Sequence, residues 1–243
     1  MPLIRSIIDF GKRQSFQPNV LSIFLNPFYF TRLRLWRGLK VHRDLLHGRL
    51  LDFGCGRKPF KNLFQVDQYI GVDIKTSGHD NQQSSVDVYY DGKVLPFESE
   101  SFDSLFCSEV LEHLFNPQEI LPEIYRVLKP GAVGLITVPF GWPEHEVPYD
   151  YARYSSFGIQ HLLETHNFKV VSVTKTGHYI EVVWQLLILY VFSLFSTKNP
   201  ITNTAMTILF ISPFNLIGIV LTAIVPRRKE LFFNSIVVVE KSA

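Results

Sequence analysis

The chain is poor in cysteine and in charge, and each shortage removes a class of explanation. Only two cysteines occur in 243 residues, Cys55 and Cys107. A disulfide framework is therefore excluded, and a reducing, cytoplasmic compartment is favoured. No set of cysteines and histidines has the spacing of a metal site, so no metal is expected. Charged residues supply only 19% of the chain while hydrophobic residues supply 47%, an apolar balance for a soluble enzyme of this size. Residues 1–10 contain no uninterrupted apolar run long enough for a cleavable signal. No basic stripe recurs beyond residue 49, which argues against a nucleic-acid partner. Repeats and low-complexity linkers are missing as well, and the length fits one large domain with a substantial core.

What is present is unevenly placed. Residues 1–49 hold nine Lys/Arg against two acids, and Arg32, Arg34, Arg37 and Lys40 alternate with Phe28, Tyr29, Phe30, Leu33, Leu35 and Trp36. Basic residues mixed with aromatics suit an anionic membrane surface. A solvated first helix covering the functional site is the competing reading.

The most informative segments are Leu50-Leu51-Asp52-Phe53-Gly54-Cys55-Gly56 and Tyr69-Ile70-Gly71-Val72-Asp73. They read as two short buried strands, the first ending in an acid and a glycine turn, the second in a carboxylate beside that turn. Glycine lets the backbone adopt φ > 0 and lets a ligand approach the main chain. Asp73 is then placed to accept both hydroxyls of a ribose, so the pair describes a nucleoside-binding device. A dinucleotide fingerprint would put a third glycine where Pro59 stands, and Asp52 would oppose a pyrophosphate. An acid there suits a cofactor that carries positive charge, as the ammonium and sulfonium of S-adenosylmethionine do.

Further motifs follow in order: Asp91-Gly92-Lys93-Val94-Leu95-Pro96-Phe97, Ser101-Phe102-Asp103, Glu109-Val110-Leu111-Glu112-His113 and Arg126-Val127-Leu128-Lys129-Pro130-Gly131. With these the chain resembles the class I S-adenosylmethionine-dependent methyltransferases, in particular the type 11 group, over residues 50 to about 175. Lys58 replaces a glycine often found in the family's first loop, and Ala132 replaces one after Lys-Pro-Gly. The resemblance implies S-adenosylmethionine as cofactor, with Asp52, Gly54, Gly56, Asp73, Asp91, Gly92 and Ser108 around it and Asp91 on the adenine amino group.

Strands are expected at Arg49–Phe53, Tyr69–Val72, Val86–Tyr89, Phe102–Cys107, Gly134–Pro139, Lys169–Thr174 and Asn234–Val239. A helix is expected to start at Asn116 as cap and to kink or restart at Pro122, ending at Lys129-Pro130-Gly131. Another is expected from Ser155 or Ser156 to Thr165. This alternation predicts an α/β fold, a seven-stranded mostly parallel Rossmann-like sheet with helices on both faces. The resemblance adds an antiparallel seventh strand beside the sixth. Between those two strands lies an apolar helical insertion. Residues 182–197 and 199–226 are uncharged, split by Lys198 and followed by Arg227-Arg228-Lys229. Since strands six and seven share a sheet, a single membrane span is forbidden. Both segments must cross as a hairpin or lie in one leaflet, and the shallow, monotopic arrangement on the inner face of the membrane is favoured. A helical arm of a homodimer is the alternative. The domains are then a basic and aromatic cap at 1–48, a methyltransferase core at 49–180, the insertion at 181–226 and a final strand at 227–243.

For the chemistry two histidines compete. His145 lies in Pro139-Phe140-Gly141-Trp142-Pro143-Glu144-His145-Glu146-Val147-Pro148-Tyr149-Asp150-Tyr151-Ala152-Arg153-Tyr154, a loop dense in acids and aromatics, and is the preferred general base. His113, just past the fourth strand, is the second candidate. Asp150 and Arg153 form either an internal ion pair or a substrate contact. His42, His47, His79, His161, His166 and His178 are expected at the surface. The loop resembles a signature of type 11 members encoded beside surface-polysaccharide genes. That implies O-methylation of a glycan or lipid-linked sugar. Methylation of a hydrophobic ring such as a quinone precursor, or a non-catalytic membrane-bound binding module, are the other readings.

Overall fold

The computed structural model describes residues 14–75 and 85–242, so the readings of residues 1–10 and of His79 lie outside it. The strands are β1 (Arg49–Phe53), β2 (Gln68–Ile74), β3 (Val88–Tyr90), β4 (Phe102–Ser108), β5 (Leu128–Pro139), β6 (Phe168–Lys175) and β7 (Asn234–Lys241). The longer helices are α1 (Tyr29–His42), α2 (Pro117–Val127), α3 (Ser156–Thr165), α4 (Tyr179–Phe195) and α5 (Pro200–Ile224). Two compact units divide the chain. One holds Leu39–Lys175 and Asn234 onward, and the other holds Thr176–Phe233 with the described residues up to Gly38.

The first unit is a single sheet of order β3-β2-β1-β4-β5-β7-β6. Strands β1 to β5 run parallel, and β7 lies antiparallel between β5 and β6, as the sequence reading requires. Parallel strands must be covered on both faces, so they read as near-continuous apolar runs. Leu51, Phe53, Leu105, Ile136 and Val237 of the sheet pack with Ile120, Leu121 and Ile124 of α2 and with Ile159 and Leu163 of α3. Helix α3 starts as its spacing predicts, with Ser155 Oγ accepting from the Gly158 amide at 3.0 Å.

Helix α2 departs from expectation twice. Asn116 does not cap it through its side chain; its amide group donates instead to Glu119 Oε1 at 3.2 Å. Nor does Pro122 interrupt it, since the helix runs unbroken to Val127. The proline removes one backbone bond near the helix start, while Ile120, Leu121 and Ile124 stay buried on the sheet side. Lys129-Pro130-Gly131, expected as a helix stop, is absorbed into β5, where the register jumps between the pairs Phe102↔Leu128 and Ser104↔Val133.

In the second unit the apolar helices are built inside out for water. Glu181 and Gln185 of α4 and Thr207, Ser212, Asn215 and Thr222 of α5 are buried. Leu187, Tyr190 and Leu194 of α4 and Leu209, Ile217 and Val220 of α5 are exposed. Several of the buried polar groups are hydrogen-bonded within the unit. Gln185 Oε1 accepts from the Phe30 amide at 3.0 Å, its Nε2 donates to the Pro27 carbonyl at 2.7 Å, and Asn215 Nδ2 donates to the Ile23 carbonyl at 2.7 Å. Arg34 donates through Nε to both Glu181 oxygens, at 2.9 and 3.0 Å. His178, expected at the surface, is buried 3.7 Å from Glu181. A Cβ added to Gly218 would lie 2.3 Å from Trp184 Nε1 and 2.6 Å from the Phe30 ring, so only glycine permits this helix contact. Helix α5 has 25 residues and a mean hydropathy of 2.1 over its most apolar window, of which 33% is buried. It is long and apolar enough to cross a membrane, while the 17-residue α4 is shorter than a span requires.

Candidate functional site

The carboxyl ends of β1, β2 and β4 build a cradle from the residues picked out in the sequence. Gly54 (φ 70°) and Gly56 (φ 47°) turn the chain out of β1. The Gly54 and Cys55 amides donate to the Val72 carbonyl at 2.8 and 3.1 Å. A Cβ on Gly54 would lie 2.4 Å from Val110, whereas at Gly56 and Gly92 it would meet nothing within 4 Å. Gly54 is thus required for packing, and Gly56 and Gly92 border open space. Asp73 Oδ2 accepts from the Gly56 amide at 2.9 Å and Oδ1 from the Ile74 amide at 2.8 Å. A carboxylate has about four acceptor positions, so acceptor capacity remains on the side of the glycine turn.

Asp52 is buried and accepts from the Tyr69 hydroxyl at 2.6 Å. Burial pushes its carboxyl up to about 7, against the Tyr69 hydrogen bond and the nearby Lys58 charge. A cationic ligand alongside would draw it back towards the ionised form. Lys58 takes φ 50°, a conformation suited to the glycine it replaces. Its ammonium pairs with Asp87, which also accepts from the Gly71 amide at 2.7 Å. A Cβ on Gly71 would meet the Lys58 Cε at 2.1 Å. Lys58, Tyr69 and Asp87 were not singled out as site residues in the sequence. The signal for them was the departure at Lys58 itself. Asp91 is exposed and its Oδ1 accepts from the amides of Lys93 and Val94, both at 2.9 Å, which hold its carboxyl below the ordinary range. Its turn leaves the second oxygen outside these bonds. Ser108 closes β4 with its hydroxyl 2.9 Å from that of Thr137, which donates to Glu109 at 2.7 Å. Ser108 thus belongs to a polar chain through Glu109 to Asn234.

Beyond β4 the structure gathers residues that lie far apart in sequence. His113 and His145 stack edge to face with ring centroids 4.7 Å apart. His113 Nε2 lies 3.8 Å from Glu112 Oε1 and 3.7 Å from Glu146 Oε1. Ligand atoms of Glu112, His113 and His145 all lie within 4.8 Å of one another. Glu112 is fully buried, and neither of its carboxyl oxygens has a hydrogen-bond partner. Burial, reinforced by the charge of Glu109, holds its carboxyl well above the ordinary range. Asp150 and Arg153 make the internal ion pair, through two bonds of 2.6 Å. Arg153 also donates to the carbonyls of Trp142, Pro143 and Ala152, bracing the loop around His145. Burial would raise the Asp150 carboxyl, but Arg153 and the His145 amide hold it at about 2. Phe115, Val147 and Tyr151, close to these residues in sequence, are exposed.

Residues 51–136 match the family model described as a methyltransferase domain. The O-methyltransferase cnsE of Penicillium expansum is 28% identical over 164 residues, covering 58% of this chain and 59% of that protein. The "Probable S-adenosylmethionine-dependent methyltransferase" of Mycolicibacterium smegmatis is 28% identical over 154 residues, covering 57% of this chain and 60% of that protein. The chain thus spans less than two thirds of these relatives. A structure of phosphoethanolamine N-methyltransferase 2 of Haemonchus contortus in complex with S-adenosyl-L-methionine superposes with a TM-score of 0.55 at 18% identity. It covers 92% of this chain and 56% of that one. At that identity the likeness concerns the fold: a Rossmann-like methyltransferase sheet.

Proposed function

We propose that the chain is an S-adenosylmethionine-dependent methyltransferase that O-methylates a glycan or lipid-linked sugar at the inner face of a membrane. The observation that carries the cofactor is the open glycine turn flanked by Asp73 and the buried Asp52. Asp73 would hold the ribose hydroxyls, Asp91 the adenine amino group, and Asp52 the positive methionine end. The bound cofactor would supply an electrophilic methyl group and a neutral thioether leaving group. The chain's own residues then have two tasks. One is alignment, which is worth roughly 7–11 kcal/mol of barrier. The other is removal of the acceptor's hydroxyl proton as the C–O bond forms, worth about 10²–10⁴-fold. The cluster of Glu112, His113 and His145 beside the cradle is where the acceptor's hydroxyl would be activated.

Membrane placement is supported by α4 and α5, which bury hydrogen-bonded polar groups and present Leu, Ile and Val outward. In lipid, polar side chains pack between helices and apolar ones face the solvent. Labelled S-adenosylmethionine incubated with the protein and membrane lipids should place the methyl group on a sugar hydroxyl of a lipid-linked glycan, identified by mass spectrometry. Label on a ring carbon of a prenylated quinone precursor would replace this acceptor with the hydrophobic ring. No transfer to any lipid fraction would remove the lipid-linked acceptor.

A further inference from the structure

We propose that Glu112, His113 and His145 form a binding site for a divalent cation of the imidazole-preferring kind, zinc foremost, beside the cofactor cradle. Glu112 and His113 are adjacent in the chain, while His145 arrives from the loop after β5, so no local spacing announces the site. Three observations carry it.

The first is the set of atoms brought together. Two imidazoles and one carboxylate converge within 4.8 Å, the donor set of many catalytic zinc sites, which leave a further position open. Metal–ligand bonds of about 2.0–2.2 Å need only a modest inward movement from these positions.

The second is the way each ring is held. His113 Nδ1 lies 2.7 Å from the Tyr149 carbonyl, which can only accept, so the proton sits on Nδ1 and Nε2 carries a bare lone pair. That Nε2 is buried and makes no hydrogen bond. The His145 ring is held from its Nδ1 side, 3.2 Å from Asp150 Oδ2 and 3.3 Å from Arg153 Nη2. A ring nitrogen donating to a carbonyl or carboxylate is the outer support that metal-binding histidines have.

The third is Glu112. It is completely buried and both oxygens lack hydrogen-bond partners. A buried carboxyl without hydrogen bonds costs free energy, and the His113 Nε2 beside it is likewise buried and unpartnered. A cation satisfies all three groups at once.

Given the methyltransferase reading, on which this step rests, the open position would take the acceptor. A hydroxyl bound there would lose its proton more readily and attack as an alkoxide, with the methyl passing to that oxygen and the proton released to solvent.

The test is calorimetric titration of chelator-treated, full-length protein with Zn²⁺, Mn²⁺ and Mg²⁺, alongside titration with S-adenosylhomocysteine. One equivalent of Zn²⁺ should bind, with affinity reduced at least tenfold in His113→Ala, His145→Ala and Glu112→Gln. Circular dichroism confirms folding, and the isosteric Glu112→Gln guards against collapse of the buried site. Absence of saturable binding by any of the three ions, or equal binding by folded His145→Ala and Glu112→Gln, would overturn the site. Zinc binding without S-adenosylhomocysteine binding would uphold the site and defeat the cofactor assignment instead.

Discussion

At the scale of single residues, the cradle depends on two aspartates doing different work. Asp73 ties the glycine turn to β2 through the Gly56 amide. Asp73→Ala therefore loses the turn's anchor and, under the proposed function, the ribose acceptor. It should weaken S-adenosylhomocysteine binding by about 1–3 kcal/mol, read by calorimetry. Asp52 makes the site sensitive to pH. Its folded-state carboxyl at about 7 stands above the ordinary 3.8. Ionisation is therefore easier in the unfolded chain, and the protein without cofactor should lose stability as pH rises from about 4 to 7. In the proposed site the cofactor's ammonium would need the charged form, so affinity should fall roughly tenfold between pH 8 and pH 6. Asp52→Asn should flatten both profiles, and a wild-type affinity constant across this range would refute the role given to Asp52. Both acids were legible because a strand end fixes where its last side chain points. Lys58 was legible only as a lost glycine. Its pairing with Asp87 and its passage over Gly71 depend on a second strand that spacing does not display. Gly71→Ala should accordingly displace Lys58 and cost about 1–3 kcal/mol in chemical denaturation.

At the scale of elements, strands were easier to read than helix ends. Burial on both faces gives β1, β4 and β7 long apolar runs whose limits are visible, and Arg49–Phe53 matches residue for residue. The start of α2 invited a cap at Asn116 that the side chain does not make, since Glu119 offers its amide group a nearer partner. Pro122 looked like a breaker because local propensity weighs it alone, whereas packing of Ile120, Leu121 and Ile124 outweighs one lost hydrogen bond. The Glu112, His113 and His145 cluster was illegible for a different reason: two loops must meet to form it. Helices α4 and α5 make the testable element. Leu187→Glu, Leu209→Glu and Val220→Glu sit on their exposed apolar faces, so the combined variant should fold normally. It should also bind anionic vesicles at least tenfold more weakly in a flotation assay, because charge on a lipid-facing surface costs about 2.5–3.5 kcal/mol per residue at full depth. Unchanged flotation would mean that these faces meet protein instead, as in a dimer arm.

At the scale of the whole molecule, the insertion is not a simple appendage to the sheet. Its polar side chains Gln185 and Asn215 reach backbone groups of residues 23–30. The basic, aromatic early segment and the apolar late segment therefore form one unit, a pairing that no local pattern announces across some 150 intervening positions. Excising 182–226 would strip partners from those backbone groups. Substitution on the outer face is consequently the cleaner way to separate membrane attachment from folding.

The position of β7 has a consequence for synthesis. It pairs with β5 along one side and β6 along the other, yet it is made after the entire apolar unit. Until β7 leaves the ribosome, β5 and β6 carry unpaired edges, which recruit other chains. Helices α4 and α5 are therefore made before the sheet can close, so under the proposed membrane reading lipid would have the first opportunity to capture the chain. Ribosome-bound chains stalled before Asn234 should resist extraction from membranes while remaining sensitive to protease in β5 and β6. Protection of those strands at that stage would show that the sheet can close without its central antiparallel strand.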